Sequence, residues 1–190
     1  MAAFDYVILL ASFVYGLALT HLLSRLSSLL LARERVRFSG LQTLMMANAV
    51  VTVFVDWLSA WQSHGVKEWD LATVAIWFVF ALLNFFLCAA AAPEAPAGER
   101  VDLETFYWSH LRLFYLVYAL LEAVGVAGAL PLLKTSNPDL FGSYALSGLT
   151  FFVPPALAIL VKVRWAQWAS GLALLLLSIA WAIVFISVLR

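Results

Sequence analysis

The stretch at positions 71–92, LATVAIWFVFALLNFFLCAAAA, contains no charged residue. As a helix rising about 1.5 Å per residue it is long enough to cross the roughly 30 Å hydrocarbon layer of a bilayer. The regions on either side repeat the theme. Of the 190 residues, 65% are hydrophobic and only 12% are charged, and the mean hydropathy is +0.98. A small globule has too much surface for its volume to hide that excess from water, whereas a bilayer absorbs it. The predicted fold is therefore all-α: a polytopic transmembrane bundle in one membrane domain covering 1–190.

Charge clusters, proline and glycine divide the chain into six predicted spans, at 6–31, 41–62, 71–92, 103–133, 140–161 and 165–189. The first lacks a basic leader and exceeds a signal-peptide core, so it is expected to remain as a helix. The fourth is too long for the hydrocarbon and is expected to begin as an interfacial or cytoplasmic turn. Pro154 and Pro155 fall inside the fifth, where two missing N–H donors predict a kink. The linker at 93–99, PEAPAGE, divides the six into a possible 3+3 arrangement, and Asp102 reads as the N-cap of the fourth helix, with Glu104 in its first turn.

Loop charge orients the bundle. Arg33, Arg35, Arg37, Arg100, Lys162 and Arg164 fall in the odd-numbered loops, against Lys67, Lys134 and Arg190 on the opposite side. The positive-inside rule places the odd loops in the cytoplasm and both termini outside. Trp57, Trp61 and Trp69 on one side, with Trp165 and Trp168 on the other, form the expected interfacial belts. A net charge of zero gives no sign of the basic face that a nucleic-acid partner would need. The single cysteine, Cys88, excludes an internal disulfide and a multi-thiolate site.

Chemistry then rests on polar groups held at depth, which are costly in lipid and turn toward the bundle interior. His21, Ser24, Arg25 and Ser28 share a face of the first helix. Arg25 is placed to snorkel to the headgroups. Asn48, Thr52 and Asp56, spaced i, i+4, i+8, form a stripe on the second helix, with Asp56 about 7 Å outward of the midplane. Tyr115, Tyr118 and Glu122 line the fourth helix. His110 and Arg112 lie near its cytoplasmic end with Tyr107, and Asn84 of the third helix is expected at their depth. The sixth helix offers only Ser170, Ser178 and Ser187, which predicts a lipid-facing element.

Two layers emerge: a basic cytoplasmic one of His21, Arg25, His110 and Arg112, and an acidic outer one of Asp56 and Glu122. Two carboxyls that meet in the membrane cannot both be charged cheaply. They either staple helices through neutral hydrogen bonds or handle protons or a cation. His21 and His110 supply the minimum for a bis-histidine haem b, but no helical metal-ligand spacing is present. No nucleophile elbow, P-loop or dinucleotide fingerprint occurs, so no catalytic residue is assigned. Gly125 and Gly128 offer a small-residue packing surface.

Two regions, FDY at 4–6 with GLALTHLL at 16–23, and PEAPAGE at 93–99 with VDLETFY at 101–107, resemble a family of small, uncharacterised six-helix bacterial inner-membrane proteins. The resemblance covers most of the chain and implies a bacterial inner-membrane setting; it carries no catalytic or binding residues. Three functional readings follow. The first is a non-enzymatic accessory, sensor or assembly bundle acting through another membrane protein or self-association. The second is a small proton- or ion-coupled transporter using Asp56 and Glu122. The third is a haem-binding electron carrier using His21 and His110.

Overall fold

The structure, a computed structural model, describes residues 3–64, 69–95, 98–136 and 138–186. Lys67, Ser187, Arg190 and residues 96–97 of the linker lie outside the described residues, as does the Lys134 side chain. The chain is an all-α bundle: α1 (Ala3–Leu31), α2 (Gly40–Ser59), α3 (Leu71–Ala91), α4 (Leu103–Ser136), α5 (Pro138–Thr150), α6 (Val153–Leu160) and α7 (Arg164–Trp181). Six helical stretches are long and apolar enough to cross a membrane: Phe4–Leu31, Gly40–Ser59, Leu71–Ala91, Leu103–Leu130, Phe141–Leu160 and Arg164–Val184. The protein is thus a multi-pass membrane protein.

The fifth span is divided between α5 and α6. Phe151 and Phe152 close α5 with bonds to the carbonyls of Gly148 and Leu149, both at 3.2 Å. Phe152 then serves as N-cap, so Pro154 and Pro155 fall in the first turn of α6. There the absent N–H groups would have had no intrahelical partner in any case. At the predicted kink the helical bonding is interrupted by a turn at residues 151–152, while Phe152 itself keeps a helical conformation. Helix α4 runs without interruption from Leu103 to Ser136, 34 residues. At about 51 Å it is much longer than the hydrocarbon is thick.

The loops after α1, α3 and α6 meet at one end of the bundle, called here the near end. Val36–Arg37 and Val101–Asp102 pair as a two-residue parallel bridge in the register Val36 to Val101 and Arg37 to Asp102. The Arg37 guanidinium reaches Asp102 Oδ2 at 3.1 Å. Ser39 Oγ donates to Glu104 Oε2 at 2.6 Å and Trp108 Nε1 to Glu104 Oε1 at 3.1 Å. Arg164, from the loop after α6, lies 3.9 Å from the same carboxylate. Asp102 caps α4 as predicted, accepting from the N–H of Glu104 at 2.9 Å and of Thr105 at 3.2 Å. Chiefly the Thr105 N–H, followed by that of Glu104 and by Arg37, holds its carboxyl below the usual carboxylate range.

Helix ends at this level are closed by side chains from neighbouring helices. Arg25 donates to the carbonyls of Ala92 at 2.6 Å and Ala89 at 3.4 Å, and Gln42 donates to that of Ala91. Together they satisfy the last carbonyls of α3, where a cation also complements the helix dipole. Gln167 does the same for α6, donating to Ala158 at 2.9 Å and Val161 at 2.8 Å. At the opposite end Asp70 caps α3 by accepting from Thr73 N at 2.7 Å. Trp57 and Trp61 are exposed toward that far end and Trp165 and Trp168 toward the near end, as expected of two belts.

Helix α2 packs against α1, α3, α4 and α7 and so forms the centre, while α1 lies along α3. The expectation that the last helix is merely lipid-facing is corrected. Gln167, Ser170, Gly171, Leu174 and Ser178 of α7 form a buried face, and Gly171 lets α2 come close enough for Asn48 Nδ2 to reach its carbonyl at 3.0 Å. A Cβ on Gly171 would sit 2.6 Å from the Leu44 side chain.

Candidate functional site

Three helices turn polar faces toward a common axis. The α2 face carries Asn48, Thr52, Asp56 and Ser59. The α4 face carries Tyr107, Tyr115, Tyr118 and Glu122, and the α7 face Gln167, Ser170 and Ser178. Toward the near end this axis is tightly hydrogen-bonded: Tyr107 OH donates to Gln167 Oε1 at 2.8 Å, and the Tyr115 phenol reaches Tyr107. Gln42 and Gln167, both fully buried, were not among the sequence candidates. Each stands in the first turn of its helix, a position that reads as headgroup level, and no periodic signal sets it apart.

Toward the far end the axis opens into a cavity of about 60 Å³. By volume it has room for a few water-sized groups. Thr52, Asp56 and Ser59 line it from α2, Tyr118 and Glu122 from α4, and Ser178 from α7. Phe80, Tyr144, Phe151 and Trp181 supply aromatic walls. Asp56 and Glu122 both remain half-buried and interact electrostatically across the cavity. Tyr118 precedes Glu122 by one turn of α4, and its buried hydroxyl has no hydrogen-bond partner. Thr52, only 3% exposed, has a hydroxyl with no hydrogen-bond partner.

Asp56 is held from one side. Asn84 Nδ2 donates to its Oδ2 at 2.9 Å and to the Phe80 carbonyl at 3.2 Å. This corrects the expected grouping of Asn84 with His110 and Arg112 near the cytoplasmic end. Side chains on a helix lean toward its N-terminus. Because α2 and α3 run in opposite directions, Asp56 leans toward the near end and Asn84 away from it. They meet although a count along the two backbones sets them at different depths.

The basic layer does not gather as a unit. Arg112 is exposed on the outer face of α4, away from the axis, and is removed from the interior set. Arg25 lies against the carbonyl end of α3, a fixed partner in place of the expected free reach toward the headgroups. His110 stacks on Phe106 with ring centroids 3.9 Å apart, and its Nδ1 lies 2.8 Å from Ser109 Oγ. Arg25 and His110 line a shared surface hollow with Glu94, and His21 is not part of that lining. The His21 ring instead tilts over Phe85 at 5.5 Å, with Nε2 buried and without a partner. Among the described residues no three His, Cys, Asp or Glu side chains are grouped to hold a metal. Comparison with known proteins adds no relative: no family, no curated protein and no solved structure matches this chain.

Proposed function

We propose that the protein is a small transporter of a bacterial inner membrane that takes up a proton or a small cation between Asp56 and Glu122. In this reading the loops at the near end are cytoplasmic, following the excess of Arg and Lys there, and the cavity lies in the outer half of the membrane. One observation carries the proposal: carboxyls from two different helices line the same polar, water-sized cavity. A dry contact between them would have favoured a structural staple. Two acids sharing a low-dielectric hollow strongly favour a positive charge between them. The hydrogen-bonded Tyr115, Tyr107 and Gln167 continue the polar axis toward the cytoplasmic side.

The test is flux into proteoliposomes loaded with a pH- or cation-sensitive dye. The protein should dissipate an imposed gradient, and Asp56→Asn and Glu122→Gln should each slow this at least tenfold while eluting as folded protein on size exclusion. Wild-type flux in both variants would refute the proposal.

A further inference from the structure

We infer that the groove between the near-end halves of α3 and α4 holds one phospholipid with a zwitterionic amino headgroup of the phosphatidylethanolamine type, its phosphate against Arg25 and its ammonium against Glu94. The inference is independent of the cavity at Asp56 and Glu122 and of the transport reading.

The groove is a surface hollow of about 440 Å³, within the size range of sites that hold a small organic molecule. Its lining sorts by depth. The three polar side chains, Arg25, Glu94 and His110, stand toward the near end, where Arg25 is fixed against the last carbonyls of α3. The other lining side chains are hydrocarbon, and they lead inward through Phe86 on α3 and Leu113 and Val117 on α4. From Phe106 to Val117 the α4 axis rises about 16 Å. A polar mouth at headgroup level above an apolar floor running into the hydrocarbon matches an amphiphile lying along the bilayer normal. Phe86 is 55% and Leu113 52% exposed, so the groove opens sideways to the lipid.

The mouth presents a cation and a carboxylate that do not pair with each other. Arg25 makes both of its carbonyl contacts through Nη1. Its Nε and Nη2 carry three further N–H donors, which have no partner among the described residues and are not sealed inside the protein. A guanidinium with spare donors suits phosphate oxygens, and basic pockets between membrane helices collect lipid headgroups. His110, stacked on Phe106 with its Nδ1 toward Ser109 Oγ and the Phe106 carbonyl, leaves Nε2 for the same headgroup. Glu94 is exposed, and its carboxylate has no ion-pair or hydrogen-bond partner among the described residues. A purely anionic headgroup would meet that carboxylate as a like charge. An ammonium beside the phosphate turns it into a partner.

The experiment uses the full chain, stripped of lipid in a mild detergent and titrated by native mass spectrometry. The probes are phosphatidylethanolamine, phosphatidylglycerol and diacylglycerol with the same acyl chains. One phosphatidylethanolamine per chain is expected. It should be held at least about tenfold more tightly than diacylglycerol, which lacks the phosphate, and about threefold more tightly than phosphatidylglycerol, which lacks the ammonium. Glu94→Gln, at an exposed loop position, should erase the preference over phosphatidylglycerol. Leu113→Trp, which fills the floor of the groove from an exposed position, should abolish saturable binding. Arg25→Gln should weaken phosphatidylethanolamine about tenfold, in protein shown to be folded by circular dichroism. Arg112→Gln removes a cation of α4 that lies outside the hollow and should change nothing. The wild-type ranking of the three lipids needs no variant. Diacylglycerol or phosphatidylglycerol bound as tightly as phosphatidylethanolamine would overturn the inference. So would an effect of Arg112→Gln as large as that of Arg25→Gln, which would mark general attraction of lipid to surface charge. A dimer of the chain that binds no lipid and dissociates in Leu113→Trp would assign the groove to a second copy and overturn it too.

Discussion

Replacing Gln167 by Leu keeps the side-chain volume nearly constant and removes three hydrogen bonds. These are the acceptance from Tyr107 at 2.8 Å and the donations to Ala158 at 2.9 Å and Val161 at 2.8 Å. A neutral hydrogen bond contributes about 1 kcal/mol net in a protein and about 0.6 on average in a membrane bundle. Three of them set the expected loss at about 2–3 kcal/mol, by the same averages. Tyr107→Phe removes one of the three together with the hydrogen bond to the Tyr115 phenol, and should cost about 1–2 kcal/mol. In the Gln167→Leu background the same tyrosine change should cost only the Tyr115 contact, about 0.6–1 kcal/mol, because its glutamine partner is already gone, giving a coupling of about 0.6–1 kcal/mol. Reversible unfolding in mixed micelles of dodecyl sulfate and a milder detergent, followed by circular dichroism, measures all four corners of the cycle. The reasoning is refuted if Gln167→Leu lies within about 0.5 kcal/mol of wild type, the range of an ordinary surface change. It is equally refuted if Tyr107→Phe costs the same in both backgrounds.

Two further outcomes can be checked. A Cβ at Gly148 would lie 2.7 Å from Val126 Cγ2, a branched side chain with little freedom to yield, whereas one at Gly16 meets nothing within 4 Å. In the same unfolding assay Gly148→Ala should therefore cost about 1–3 kcal/mol, and Gly16→Ala should be neutral or slightly stabilising. Asp102 has a folded pKa below its unfolded value, chiefly through the Thr105 N–H. Its contribution to the near-end clamp is thus fully present above roughly pH 4 and is lost as the pH falls through the depressed folded value. Carbon-13 NMR of the Asp102 carboxyl in nanodiscs should show a midpoint below that of a model peptide, and Thr105→Pro, which deletes the principal donor, should move it upward.

The parts of this molecule that were legible in the sequence are those the bilayer itself enforces. Six apolar stretches bounded by charge, the break near Pro154 and the cap at Asp102 each follow from a local requirement that one helix cannot evade. The stripe of Asn48, Thr52 and Asp56 was also readable, since helical spacing alone puts the three on one face. What escaped depends on relations between helices. Asn84 was assigned to the wrong layer because a count along single helices does not fix the offset between two packed helices, to which the opposite lean of their side chains adds a part. Gln42 and Gln167 cap the ends of neighbouring helices, a role their own segments do not announce. Arg112 shares a depth with His110 but not a face with Tyr115 and Tyr118, and a charge near a helix end gives little indication of direction. The buried face of α7 is made of small and weakly polar residues, too faint a pattern to distinguish from a lipid-facing surface. The bridge of Val36–Arg37 with Val101–Asp102 is too short for any periodicity to reveal.

That bridge has a bearing on how the molecule is made. The strand after α1 finds its partner only when residues 101 and 102 have been synthesised, so three helices enter the membrane before the pin that joins the halves exists. The exposed Arg37–Asp102 pair adds little by itself. The bridge fixes which surfaces come together, and the buried contacts of α2 with α7 and of α3 with α4 then supply the adhesion. Two polypeptides separated within the linker between α3 and α4 carry all of these features between them. Co-expressed, they should dock into a working whole, much as two halves of a mould seat on a locating peg.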